Sequence, residues 1–309
     1  MNKFRLVAAA VSLALTLPLS AQQRIAFTWD DLPAHSSLPP GETRQQIIEA
    51  LISTIKAEHM PSPYGFVNAK TIESHPELTK VLDAWRAAGF PLGNHTWSHL
   101  NLNAPSTSLN TWEEEVLKNE ATLKEEMGTE NFHWLRFPNL SEGNTTEKML
   151  GARHFLAEHG YKIAGVTMSF ADYAYNEPYA RCMASGDNDS VRKLEDSYLQ
   201  EALRELGYAH KMSMDLYGHD IPYVLLMHVG AIDAKLLPRL VKLYRHHGVT
   251  FISLQEAMQD PFYRNDLDLA HNPVPDTLEE AVLLKGISLP NREPATVNLL
   301  KVCPPPSKR

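Results

Sequence analysis

The sequence is short of cysteine: two occur in 309 residues, Cys182 and Cys303. That excludes Cys-rich metal clusters and allows at most one intrachain bridge. In an oxidising compartment the two can pair, and a bridge closing a loop of ~120 residues adds roughly 4–5 kcal/mol in the chain-entropy account. Two free thiols is the competing reading, and the sequence does not choose between them. Long apolar runs are also missing. The one candidate, Leu6 to Leu19, falls short of the ~20 residues of a spanning helix, and no later segment approaches that length. Positive charge is not in excess. The net charge of −8 becomes −10 once Lys3 and Arg5 leave with residues 1–21, which carry no acid. Such a surface repels nucleic acid and anionic membranes.

What is present begins with the N-terminus, "MNKFRLVAAAVSLALTLPLSAQQ". A short positive region, an apolar run and the small pair Ser20-Ala21 have the anatomy of a secretory signal peptide. Residues 1–21 are therefore expected to be removed and the protein secreted, to the periplasm or beyond. An uncleaved anchor is the alternative. The mature chain, from near Gln22, is expected to have no membrane span.

Apolar β-rich runs then alternate with helix-like stretches. Strands are expected at 24–29, 64–69, 90–96, 132–138, 162–168, 223–230 and 249–254. Helices are expected at 41–59, 75–89, 108–128, 146–160, 190–207 and 233–248, the last interrupted or kinked near Pro238. About seven βα units without a solenoid repeat predict an α/β protein with a parallel sheet. Polar residues at many strand C-termini favour closure into a barrel, here a distorted (β/α)7 barrel over 22–260. Residues 261–309 are richer in Pro and Asn, carry one expected helix at 277–285, and read as an extension packed on the barrel.

The strand ends carry the chemistry. "AFTWDDLPAH" ends a buried strand in Asp30 and Asp31, two neighbouring carboxylates that repel one another. His95 and His99 stand four residues apart in "NHTWSH", a spacing that puts both imidazoles on one face of a helical turn. With one carboxylate they make a two-His, one-carboxylate set that leaves coordination sites open. Neighbours in a strand point to opposite faces, so the two acids need a strand end or turn, which Pro33 supports. One acid then holds the ion. The other lies beside a metal-bound water of lowered pKa and acts as general base.

These residues carry a family resemblance. "FTWDDLP", "HPELTKVLDAWRAAGFPLGNHTWSHLNL", "RFP", "FADY" and "LMH" resemble, in order, the five motifs of polysaccharide deacetylases, carbohydrate esterase family four. The resemblance spans roughly residues 24–258. It implies that Asp30 is the general base and that Asp31, His95 and His99 bind a divalent metal, usually zinc. Arg136 would pair with Asp30. His228 would protonate the departing amine. Asp172 would orient or tune the set through His228 or Arg136. Leu226 would line the pocket for the acetyl methyl.

Leu32 stands where the family commonly has Gly, Asn139 where an aromatic is common and Tyr173 where Trp is common. The resemblance therefore leaves the chemistry intact, with Asn139 and Tyr173 expected in the substrate pocket. Leu32 is expected to shape the turn for a particular substrate. The expected activity is removal of acetyl groups from N-acetylated glycan sugars of peptidoglycan or chitin type. An O-acetyl xylan-type esterase, a non-sugar amide hydrolase and a silent glycan-binding protein are the alternatives. His35, His133, His219, His246 and His247 read as surface or core residues, His35 being the nearest to the paired acids. The run Glu113-Glu114-Glu115 reads as a solvated helix face.

Overall fold

A computed structural model describes residues 23–270, 274–275 and 277–304. The segment read as a signal peptide, 1–21, lies outside the described residues. Seven parallel strands form one sheet: β1 (Arg24–Leu32), β2 (Tyr64–Val67), β3 (Leu92–Asn94), β4 (Trp134–Leu135), β5 (Lys162–Ile163), β6 (Tyr223–His228) and β7 (Thr250–Ile252). The order is β5-β4-β3-β2-β1-β6. β6 pairs with β1 along Ile25–Asp30, while β7 and β2 pair successively with Arg24–Ala26 and Thr28–Leu32.

The sheet curls until its ends meet. Past β5 the chain bridges to β6 at Met168↔Leu225, and Leu226 N–H donates to the Met168 carbonyl at 3.0 Å. This is a curled, distorted α/β barrel, as expected. The lengths differ: the runs 132–138 and 162–168 supply only two strand residues each.

The helices are α1 (Arg44–Ala57), α2 (Lys70–Ser74), α3 (Thr79–Ala87), α4 (Leu109–Met127), α5 (Thr146–Glu158), α6 (Tyr173–Ser185), α7 (Asn188–Tyr217), α8 (Ala231–His246), α9 (Leu254–Ala257), α10 (Arg264–Leu267) and α11 (Leu278–Leu284). Local chemistry accounts for many of their starts. Thr43 and Gln46 form a capping box for α1, and Ser108, Thr145 and Thr277 cap α4, α5 and α11. Each such cap is worth ~1 kcal/mol. α1 turns Ile47, Ile48, Leu51 and Ile55 into the core, the 3.6-residue stripe read from the sequence.

Two helix expectations need correction. Of the interruption or kink expected at Pro238, the interruption does not occur: α8 runs through the proline, because Leu236, Leu237, Leu240 and Val241 around it are buried against the core. That burial outweighs the lost backbone bond. The stretch expected as a helix over 190–207 continues to Tyr217, and α6 precedes it unforeseen, with Pro178 inside. No helix among the described residues is long and apolar enough to cross a membrane.

Cys182 of α6 and Cys303 form a disulfide, which ties the C-terminal segment to the barrel. Arg292 reaches from that segment to Glu205 on α7 at 2.5 Å.

Candidate active site

A cavity of about 380 Å³ opens where β1 and β6 end, lined among others by Asp30, Asp31, His95, His99 and His228. Alternation along β1 would send Asp30 and Asp31 to opposite faces. Instead Asp31 has φ 62°, in the left-handed region that Asp tolerates better than most side chains. The β1–β2 register shifts between Trp29 and Leu32 at the same place. This bulge turns both carboxylates into the cavity.

Asp30 is buried and paired from behind. Arg136, itself 1 % exposed, donates from one guanidinium nitrogen to both Asp30 oxygens, at 3.2 and 3.3 Å. Its other nitrogens donate to Thr28 Oγ1 at 3.1 Å and the Ala164 carbonyl at 2.6 Å. An arginine with its donors satisfied in this way is a fixed cation, and removing either partner would strand a buried charge.

The histidine pair does not lie on a helical turn. Residues 95–99 are irregular, with Thr96 at φ 59° and His99 at φ 60°. Tertiary hydrogen bonds impose this shape. Asn94 Oδ1 accepts from Thr96 N–H at 2.9 Å, and Asn68 donates to the His95 and Thr96 carbonyls. Glu115, read as part of a solvated face, accepts from Ser98 N–H at 2.6 Å. Asn119 locks Asn94 and β2 together from α4. The two imidazoles still meet, their centroids 4.9 Å apart.

Asp31, His95 and His99 each offer one ligand atom, all within 4.8 Å of one another. His95 Nδ1 donates to the Arg136 carbonyl at 2.6 Å, because a carbonyl can only accept; that leaves the Nε2 lone pair facing the acids. Asp31 Oδ1 lies 3.6 Å from Nε2 of both His95 and His99, is buried, and has no hydrogen-bond partner. An unpartnered buried carboxylate oxygen between two imidazole nitrogens is costly alone and fits a cation well.

Burial opposes the charge on Asp31, but the His35 hydrogen bond and the imidazoles of His95, His228 and His99 overcome it. The Asp31 carboxyl lies below its usual range as a result. Burial and the neighbouring His95 lower the pKa of His99, favouring the neutral ring a metal needs.

The opposite wall carries His228. Both Asp172 oxygens hold it: one accepts from His228 N–H at 2.6 Å, the other from Nδ1 at 3.0 Å. Burial lowers the His228 pKa, but Asp172 foremost, then Asp31 and Asp30, raise it more, so it is pushed up to about 9. Of the two roles open to Asp172, contact with His228 is therefore the one present. Behind it stands Asp233, which no motif marks. Asn176 and Tyr198 donate to it at 2.7 Å each, and burial with the nearby Asp172 pushes its pKa well up.

Leu226 and Asn139 line the cavity, and Tyr173 stands at its rim, half exposed, its ring 5.4 Å from His228. Asn139 sits at φ 56°, in a short turn after Pro138. Leu32 does not line the cavity. Its side chain is fully buried in the core, where a Cβ on Gly65 would meet it at 2.9 Å. The bulge at Asp31 turns Leu32 inward, so this departure from the family pattern concerns packing. His35, read from the sequence as a surface or core residue near the paired acids, belongs to the cavity. It contacts Asp31 at 2.9 Å. A larger cavity, about 550 Å³, lies between α7 and the C-terminal segment, sharing only Ser169 and Ala171 with the first. The Asp31–His95–His99 cluster borders the first cavity and not the second.

The family model described as polysaccharide deacetylase matches residues 20–164. No curated protein sequence matches the chain. Among solved structures, the chitin deacetylase of the fungal pathogen Colletotrichum lindemuthianum is 21% identical, with a TM-score of 0.53 over 78% of this chain and 90% of that one. A mutant of a peptidoglycan deacetylase from Bacillus subtilis is 16% identical, with a TM-score of 0.50 over 77% and 93%. A pseudoenzyme of carbohydrate esterase family four from Bacillus anthracis is 13% identical, with a TM-score of 0.52 over 77% and 66%. At these identities the likeness is one of fold, and the fold hosts active and inactive members alike. The motifs, the curled parallel sheet and the family match agree: residues 20–164 match the polysaccharide deacetylase family, and the sheet has the fold of the solved deacetylase structures named above.

Proposed function

We propose that this protein is a secreted, metal-dependent hydrolase that removes acetyl groups from N-acetylated sugars of a glycan. Peptidoglycan or chitin-like N-acetylglucosamine is the substrate class we favour, and zinc the metal. One observation carries the reading. A carboxylate backed by arginine, a two-His, one-carboxylate set and a carboxylate-held histidine converge on a single cavity. Amide hydrolysis needs those three functions together: a base, an electrophilic centre and a proton donor.

Asp31, His95 and His99 would hold the cation, with water and substrate positions left open. A divalent cation there supplies Lewis acidity and lowers the pKa of a coordinated water. Asp30, held by Arg136, takes the proton of the attacking water. The Asn139 backbone N–H would serve the developing oxyanion, and Leu226 would shape the wall against the acetyl methyl. His228 keeps Nδ1 on Asp172 and delivers the Nε2 proton to the departing nitrogen. General acid–base groups of this kind each contribute ~10²–10⁴ in rate. Secretion is supported by the N-terminal sequence and by the disulfide, since such bridges persist in oxidising compartments.

The test is acetate release by the zinc-loaded mature protein from chitooligosaccharides, peptidoglycan fragments and acetylated xylan. Release from the N-acetylated substrates, abolished by a chelator, restored by zinc and lost in Asp30→Asn and His228→Ala, is expected. Release only from acetylated xylan, or release that survives both substitutions, overturns the proposal.

A further inference from the structure

His35 follows the Leu32–Pro33 turn, and the chain folds it back over the acids. Its Nδ1 lies 2.9 Å from Asp31 Oδ2, and its side chain is 15 % exposed. A carboxylate has no hydrogen to give, so Nδ1 donates. The ring lies 4.8 Å from that of His228. Arg44 donates to the carbonyl oxygens of His35 and Ser36, and Glu177 accepts from Ser37 N–H at 2.7 Å. The loop is therefore held at both the residue and its successors.

This makes the two oxygens of Asp31 inequivalent. Oδ1 is buried and unpartnered between His95 and His99, whereas Oδ2 is engaged by His35. The terminal torsion of an aspartate is broad, and nothing in the residue itself distinguishes its oxygens. Left free, the carboxylate would rotate, or grip an ion with both oxygens and fill a position that water and substrate need.

We propose that His35 is a positioning residue that fixes Asp31 as a one-oxygen metal ligand, the Nδ1–H holding Oδ2 away and aiming Oδ1 at the ion. This rests on the metal reading of the site above. Groups that hydrogen-bond a ligand orient it, and losing one weakens metal binding 10–100-fold.

Two substitutions separate the hydrogen bond from packing. His35→Phe keeps a ring against His228 and removes the donor. His35→Asn places an amide N–H near the Nδ1 position and removes the ring. Zinc dissociation constants, measured by competition with a chromophoric chelator, and the visible spectrum of the Co2+-loaded protein, which reports coordination number, are the readouts. The expected result is zinc binding weakened 10–100-fold with an altered cobalt spectrum in His35→Phe, and near wild-type values in His35→Asn. Unchanged affinity and spectrum in His35→Phe, or a larger loss in His35→Asn than in His35→Phe, overturns the inference. Zinc binding by the wild type that is absent, or that survives His95→Ala with His99→Ala, overturns the metal reading itself, and the inference falls with it.

Discussion

Asp172→Asn isolates the part of the site that prepares His228. Asp172 is fully buried and uses one oxygen on His228 N–H and the other on Nδ1. An asparagine can accept from only one of them. If its oxygen keeps the backbone N–H, its amide faces Nδ1, which must then accept. The imidazolium, with donors on both nitrogens, is lost. Asp172 is also the largest influence raising the His228 pKa from 6.5 to about 9, a rise worth roughly 3 kcal/mol. With Asp172 neutral, the value falls back towards 6.5, and at pH 7.5 only about a tenth of the molecules keep the proton.

The assay is the pH dependence of acetate release by the zinc-loaded protein, with thermal denaturation to establish folding. The wild type is expected to lose activity as pH rises through about 9, where His228 gives up its proton. In Asp172→Asn that alkaline limb moves down by about two pH units, and kcat at pH 7.5 falls about tenfold, with the fraction of His228 left protonated. An unmoved limb, or a kcat within threefold of wild type in a folded variant, refutes the assignment of His228 as the acid that Asp172 prepares.

Three further outcomes are expected. A group whose folded pKa is raised stabilises the protein fully below its unfolded value and loses that stabilisation as pH rises through the folded one. Urea denaturation should therefore show stability falling from pH 7 to pH 9.5 in the wild type and much less in Asp172→Asn; Glu205 and Glu126, raised to about 7, act the same way but in the lower window, between 4.5 and 7. Leu32→Ala should cost ~2–5 kcal/mol of stability, because Leu32 is fully buried, while the ratio of rates on different glycans stays as in wild type; a changed ratio would return Leu32 to the substrate wall. Cys303→Ser removes a bridge between residues 121 apart in sequence and should cost roughly 4 kcal/mol in the chain-entropy account, read by urea denaturation against the reduced wild type, whose stability it should match.

The order of strands and helices was legible because it rests on local signals. Caps such as Thr43 and Ser108, the buried stripe of α1 and the apolar run of β6 act within a few residues of themselves. The identities of Asp30, Asp31, His95, His99, Arg136, Asp172 and His228 as candidates were legible too, from residue types at strand ends and from the order of the motifs.

Their conformations were not. A four-residue spacing reads as a helical turn, yet buried amides from Asn68 and Asn94, with Glu115 from α4, hold His95 and His99 in an irregular one. The inward turn of Leu32 depends on a bulge that only β2 pairing reveals. His35 joins Asp31 over four residues, and Asp233 sits behind Asp172 from a distant stretch of the chain, both through folded neighbours. Sequence by itself determined which side chains carry protons and lone pairs. The tertiary structure decided which of them meet and which atom of each faces the cavity, because hydrogen-bond direction and burial are set by partners distant in the chain.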